Sequence, residues 1–141
     1  MEPTVIGDTV NVTARLESLT KDYGRDLLIG EAAADLLRES YILQPIDRVV
    51  LKGKTRPLNI FTIVDRAGVQ LEERLLEYLE NYQLAQNAYA SGAFEKAAAR
   101  FQDCLQYQPG DRLIEMYLDR CRALMARPPR EWTGVHYAAR K

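Results

Sequence analysis

An α+β fold built from two unlike parts is what the sequence predicts, and three observations carry it. Residues 1–66 alternate short apolar segments with helical patterning, residues 70–127 are patterned almost wholly for helix, and the polar run Asp65-Arg66-Ala67-Gly68 falls between them. We divide the chain accordingly into 1–66, 67–127 and a tail, 128–141. Its 141 residues, 47% hydrophobic and 28% charged, have ordinary globular composition. Nineteen Lys and Arg against twenty Asp and Glu leave a net charge of −1, so no sequence-wide basic field exists to hold a phosphate backbone, and nucleic acid is not an expected partner. The apolar runs are short and broken by charge, and Met1-Glu2-Pro3 has neither the basic nor the apolar region of a signal peptide, which leads us to expect no membrane segment and a cytoplasmic protein.

In the first part, Asp8 caps an apolar set at helical spacing, Val10, Ala14, Leu16 and Leu19, that stops at Tyr23-Gly24. Asp26-Leu27-Leu28-Ile29 reads as a short buried strand ended by Gly30, and Glu31 to Glu39 as a helix with Ala32, Leu36 and Leu37 on its inner face. Tyr41 to Leu51 and Pro57 to Val64 are two strands, and Lys52-Gly53-Lys54-Thr55 is a turn that pairs them as an antiparallel hairpin. In the second part, Leu71, Leu75, Leu76, Leu79, Tyr82, Leu84 and Ala85 form the stripe of a first helix, which Gly92 ends. Phe94, Ala97, Ala98, Phe101, Cys104 and Leu105 face inward from a second helix closed by Pro109-Gly110. Asp111 then caps a third with Leu113, Tyr117, Leu118, Cys121 and Leu124. Cys104 and Cys121 lie in no CxxC pattern and are expected to be reduced and buried. The aromatic tail, with Trp132 and Tyr137, is expected to pack back on the helices. His136, the sole histidine, has no cysteine or carboxylate pattern around it that suggests catalysis or metal ligation.

Asn11 and Arg15 stand four apart, so a helix would present both on one face as a pair of donors for one phosphate. The run in which they occur, Thr4-Val5-Ile6-Gly7-Asp8-Thr9-Val10-Asn11-Val12-Thr13-Ala14-Arg15-Leu16-Glu17, resembles the signature of class III nucleotidyl cyclases. Val50-Leu51-Lys52-Gly53-Lys54 follows in the right order and resembles that family's triphosphate-contacting hairpin. The resemblance covers residues 3–66, the second half of a cyclase catalytic domain, and implies a partial ferredoxin-like fold of helix, strand, helix and hairpin. It implies that Asn11 orients the ribose, that Arg15 stabilises the transition state, that Lys52 grips the terminal phosphates, that Thr4 reads the purine edge in favour of adenine, and that Arg25 falls where some members bind pyrophosphate. The intact family enzyme would convert ATP to cyclic AMP and pyrophosphate with two Mg²⁺ or Mn²⁺ ions, in a head-to-tail dimer. The two aspartates that hold those ions belong to the first half of the domain and have no counterpart here, so the chain is expected to be truncated at its N-terminus and inactive alone.

Residues 75–127 resemble a tetratricopeptide repeat, with Leu84, Ala85, Gly92, Ala97, Phe101 and Pro109 at matching relative positions and Ala88 in place of the usual Tyr. A plain helical hairpin reads equally well. A non-catalytic helical interaction module attached to a cyclase remnant is therefore the rival reading, with a protein partner on the helices. Removal of half a cyclase domain leaves strand edges and apolar faces bare, so the chain is expected to form a homodimer.

Overall fold

The computed structural model describes residues 16–137 and confirms the α+β class. The chain separates into two compact units: one extends to Val69 and takes back the segment from Val135 onward, and the other is Gln70–Gly134.

In the first unit, residues 16–23 are the described part of helix α1, Glu31–Leu37 is α2, and Tyr41–Val50 and Leu58–Arg66 are strands β1 and β2. The two strands pair antiparallel as the sequence predicts, from Tyr41 opposite Arg66 to Val49 opposite Leu58. Their register shifts twice, between Ile42 and Leu43 and between Pro45 and Asp47. The second shift has a chemical cause: Pro45 has no backbone N–H to give the ladder, and a bulge is where a strand tolerates that. Beyond the bulge the alternation of faces slips, so that consecutive residues, Ile46 and Asp47, are both buried. The core is completed by Leu16, Tyr23, Leu28, Ala34, Val49, Val50, Leu51 and Ile60.

The strand expected at Asp26–Ile29 is reduced to one antiparallel bridge, Ile29 with Phe61. Its other ties run through side chains: the Thr62 hydroxyl donates to the Leu27 carbonyl at 2.7 Å, and Arg25 reaches Gln44. These bonds take the place of a ladder. Helix α2 also turns differently from its expected face, burying Ala34 and leaving Leu36 84% exposed. With only two turns, it is oriented by packing against β2 rather than by its own pattern.

The second unit holds α3 (Glu73–Ala90), α4 (Phe94–Tyr107) and α5 (Arg112–Ala126). The inner stripe of α3 is aromatic: Tyr78, Tyr82, Ala85 and Tyr89 are buried, whereas Leu76 and Leu84, expected inside, are 44% and 48% exposed. Both stripes have helical spacing, so periodicity alone does not choose between them. The rings and their hydroxyls do. Tyr78 donates to Asp111 Oδ2 at 2.5 Å, the Tyr82 hydroxyl accepts from Gln86 at 2.8 Å, and Tyr89 meets Tyr117 edge-on with centroids 5.0 Å apart. Of the expected inner residues, Phe94, Ala97, Phe101, Cys104, Leu113, Tyr117, Leu118 and Cys121 are buried, whereas Ala98, Leu105 and Leu124 are only half-buried. Phe101 stacks on Tyr117 at 4.8 Å.

The tail behaves in two ways. Trp132 packs on the helices as expected, donating to the Tyr89 carbonyl at 2.6 Å and meeting the Phe94 ring at 4.9 Å. His136–Tyr137 instead form a short strand, β3, parallel to Val49 and Val50, which places β1 at the centre of a sheet ordered β2-β1-β3.

Asp111 caps α5 as the sequence predicts, accepting from Leu113 N at 3.1 Å while it accepts the Tyr78 hydroxyl. Asp111→Ala should therefore remove a cap and strand a buried hydroxyl, destabilising the helical unit by roughly 2–4 kcal/mol in urea titration. Both cysteines are buried and unbridged. Burial, helped by Asp111 and Asp103, pushes the Cys104 thiol up to about 12, and burial pushes Cys121 up to about 11 against the pull of Arg120. The folded chain thus keeps protons that the unfolded chain releases above the ordinary value of 9.0. The stability they contribute is complete below that pH and declines as pH rises toward 11 and 12. Urea midpoints across this alkaline range should fall less steeply in Cys121→Ala than in the parent chain.

Candidate functional site

Three of the five site residues, Thr4, Asn11 and Arg15, lie outside the described residues. Leu16, one peptide bond after Arg15, is buried in the first unit. A Cβ added at Gly30 would lie 4.0 Å from Leu16 Cδ1 and 3.7 Å from Leu58 Cδ1, and Leu58 is the residue opposite Val49 in the hairpin. The start of described α1 is therefore at the turn end of the sheet.

Lys52 is exposed in the turn that links β1 to β2, directly after the buried pair Val50 and Leu51. Gly53 beside it has φ 80°, a left-handed conformation that a side chain would strain, and Lys54 N donates to Leu51 O at 2.9 Å to close the turn. A cation is thus carried on a backbone fixed by its glycine and by the two buried residues that precede it.

Arg25 lies elsewhere. Its guanidinium donates to Gly24 O at 3.1 Å and to Gln44 Oε1 at 3.4 Å. Gln44 precedes Lys52 by eight residues of nearly continuous strand, a separation of about 25 Å at 3.3 Å per residue. Arg25 is thus tied to β1 at Gln44, and Lys52 stands in the turn beyond the other end of that strand.

Two residues that no motif singles out tie α1 to the middle of β1. The Tyr23 hydroxyl donates to Asp47 Oδ2 at 2.6 Å, both groups are buried, and the other oxygen, Oδ1, accepts from Arg48 N at 2.8 Å. A tyrosine closing an amphipathic helix and an aspartate inside an apolar strand were the available signals, but the Pro45 bulge that turns Asp47 inward is visible only in the register.

Among the described residues, no three His, Cys, Asp or Glu side chains come together as a group able to hold a metal ion. No described helix is long and apolar enough to cross a membrane. In the helical unit, Phe94, Leu124, Met125, Pro128, Pro129 and Trp132 line an open groove of about 710 Å³, with Glu95 and Lys96 at the start of α4.

In sequence the chain is similar to a terminal-differentiation-specific adenylate cyclase of Dictyostelium discoideum, 32% identical over 126 residues that cover 86% of this chain and 6% of that protein. It is also similar to an adenylate cyclase of Anabaena cylindrica, 44% identical over 66 residues (45% of this chain, 13% of that one). A third relative, adenylate cyclase 1 of Rhizobium meliloti strain 1021, is 34% identical over 64 residues (45% and 10%). The chain spans between 6% and 13% of the length of these relatives. No protein-family description matches it, and no solved structure matches it. The likenesses establish a region related to adenylate cyclases, and the first, at 86% of the chain, is too long to fit in either structural unit alone.

If Lys52 serves a ligand rather than the fold, Lys52→Ala should leave stability within about 0.5 kcal/mol of the parent, as for an ordinary surface change. Gly53→Ala should cost roughly 1 kcal/mol through left-handed strain. Thermal melts of the two variants side by side separate these contributions.

Proposed function

We propose that this chain supplies the second half of an adenylate cyclase centre, with Asn11, Arg15 and Lys52 as its working residues. The observation that carries the reading is that Lys52, on a glycine-shaped turn, and Leu16, adjoining Arg15, lie at one end of the sheet in a chain related to adenylate cyclases. In the reaction, the ribose 3′ oxygen forms a bond to the α-phosphorus and its proton passes to solvent. The bond from that phosphorus to the bridging oxygen breaks, and pyrophosphate leaves. Negative charge moves onto the leaving phosphates, where a fixed ammonium at Lys52 stabilises it. Arg15 would stabilise charge on the α-phosphoryl oxygens, Asn11 would hold the ribose, and Thr4 would accept from the adenine amino group. The Mg²⁺ or Mn²⁺ ions that the resemblance implies for the intact enzyme would be held by aspartates of the other half. Arg25, bonded to Gln44 in the described chain, would contact pyrophosphate only at a site other than that of its own Lys52.

The groove beside Trp132 supports a second reading, in which the helical unit binds a protein segment and the cyclase-related unit dimerises or regulates without chemistry. The two separate in a direct assay. The chain alone, with ATP and Mn²⁺, should form no cyclic AMP above background. In the enzyme completed by the aspartate-bearing half, Arg15→Ala should lower kcat by about 10²-fold or more, the effect of removing a transition-state donor. An unchanged kcat would favour the second reading.

A further inference from the structure

We propose that the buried hydrogen bond between Tyr23 and Asp47 is a positioning contact, which holds the end of α1 at Leu16, the residue that follows Arg15 in sequence, at a fixed offset from the Lys52 turn. The proposal rests on the cyclase reading above and extends it to two residues that touch no substrate.

Four placements support it. Tyr23 closes the described part of α1, and Asp47 precedes Lys52 by five residues along β1, so the bond links the element that follows Arg15 to the strand that carries Lys52. The direction of the two segments is given by a second link: Tyr23 meets Asp47 while Arg25 meets Gln44, so the chain leaving α1 runs down β1 toward its start. Traced backward, α1 rises toward the end of β1, and Leu16 is found there, beside the position of Gly30 that also faces Leu58. Leu16 is then about 10 Å from the clamp along the helix at 1.5 Å per residue, and Lys52 about 16 Å along the strand at 3.3 Å per residue. Finally, the bond is 2.6 Å long with a carboxylate acceptor and both partners buried, a geometry that tolerates little sliding. Apolar contacts such as those of Leu16 and Leu28 resist separation of a helix from a sheet but permit it to shift along the surface. A directed bond fixes that shift.

The test is a double-mutant cycle in the enzyme completed by the aspartate-bearing half. Tyr23→Phe removes one hydroxyl and keeps the ring. It should lower kcat about tenfold, as expected of a sub-ångström misplacement of a transition-state donor, and leave KM for ATP within about twofold. In an Arg15→Ala background the same change should have no further effect on kcat, because the residue through which it acts is gone. Asp47→Asn, which keeps an acceptor for the Tyr23 hydroxyl, should retain the parent kcat. Equal losses from Tyr23→Phe in both backgrounds, or a loss confined to KM, would show a merely structural role and overturn the proposal. So would an unchanged kcat in Tyr23→Phe accompanied by collapse in Arg15→Ala, which would leave the cyclase reading standing. No effect of Arg15→Ala alone would overturn both. Should Tyr23→Phe fail to fold, Asp47→Asn against Asp47→Ala decides the same question by whether kcat follows the presence of an acceptor.

Discussion

A single missing backbone hydrogen sets the geometry of the first unit. Pro45 cannot donate to the hairpin ladder, the register of β1 against β2 shifts there, and the shift turns Asp47 from the outer to the inner face. Asp47 is then able to receive the Tyr23 hydroxyl, and Gln44, on the other side of the proline, receives Arg25. Without the bulge, strict alternation would direct Asp47 outward, away from the Tyr23 hydroxyl. Bulges are found where a strand must re-aim a side chain, and this one re-aims the side chain that registers a helix.

The helical unit solves a different problem with related chemistry. Its core is rich in tyrosine, and a buried tyrosine contributes a large apolar area only when its hydroxyl is satisfied. Asp111 performs two tasks at once, capping α5 and accepting from Tyr78, which ties the start of the third helix to the first. Trp132 continues the cluster beyond the last helix, stacking its edge on Tyr89 and Phe94. Gly92, with φ 83° and the indole 3.4 Å from where a Cβ would stand, has both a conformational and a steric reason to be glycine.

Much of this was legible in the residues, and the gaps have physical causes. The hairpin, its turn, the three helices, the Asp111 cap and the buried thiols followed from pattern and punctuation. The face of α3 did not, because leucines at 76 and 84 and tyrosines at 78, 82 and 89 both satisfy a helical period, and only partners distant in sequence choose between them. The face of α2 differs from its pattern because seven residues make too short a helix for that pattern to outweigh packing. Asp26–Ile29 has a strand's composition, yet Thr62 and Arg25 bind it through side chains instead. For the candidate site, the motifs indicated Thr4, Asn11, Arg15, Lys52 and Arg25 as residue types. That Arg25 binds Gln44, and that Tyr23 and Asp47 link their elements, depends on register and is not in the motifs.

The position of β3 gives the helical unit an unusual standing. Residues 67–135 leave the sheet from β2 and rejoin it on the other side of β1, so the helices are an insertion held at both ends in one sheet and not an appendage on a free tail. When those helices melt, the chain they release is a closed loop, and its freedom is limited by the two strands that hold its ends. Loop entropy depends only weakly on length, with a doubling worth about 0.6 kcal/mol. A sheet joined in this way can carry inserted units of quite different size at nearly constant stability, provided that each returns a strand to the edge beside Val49 and Val50.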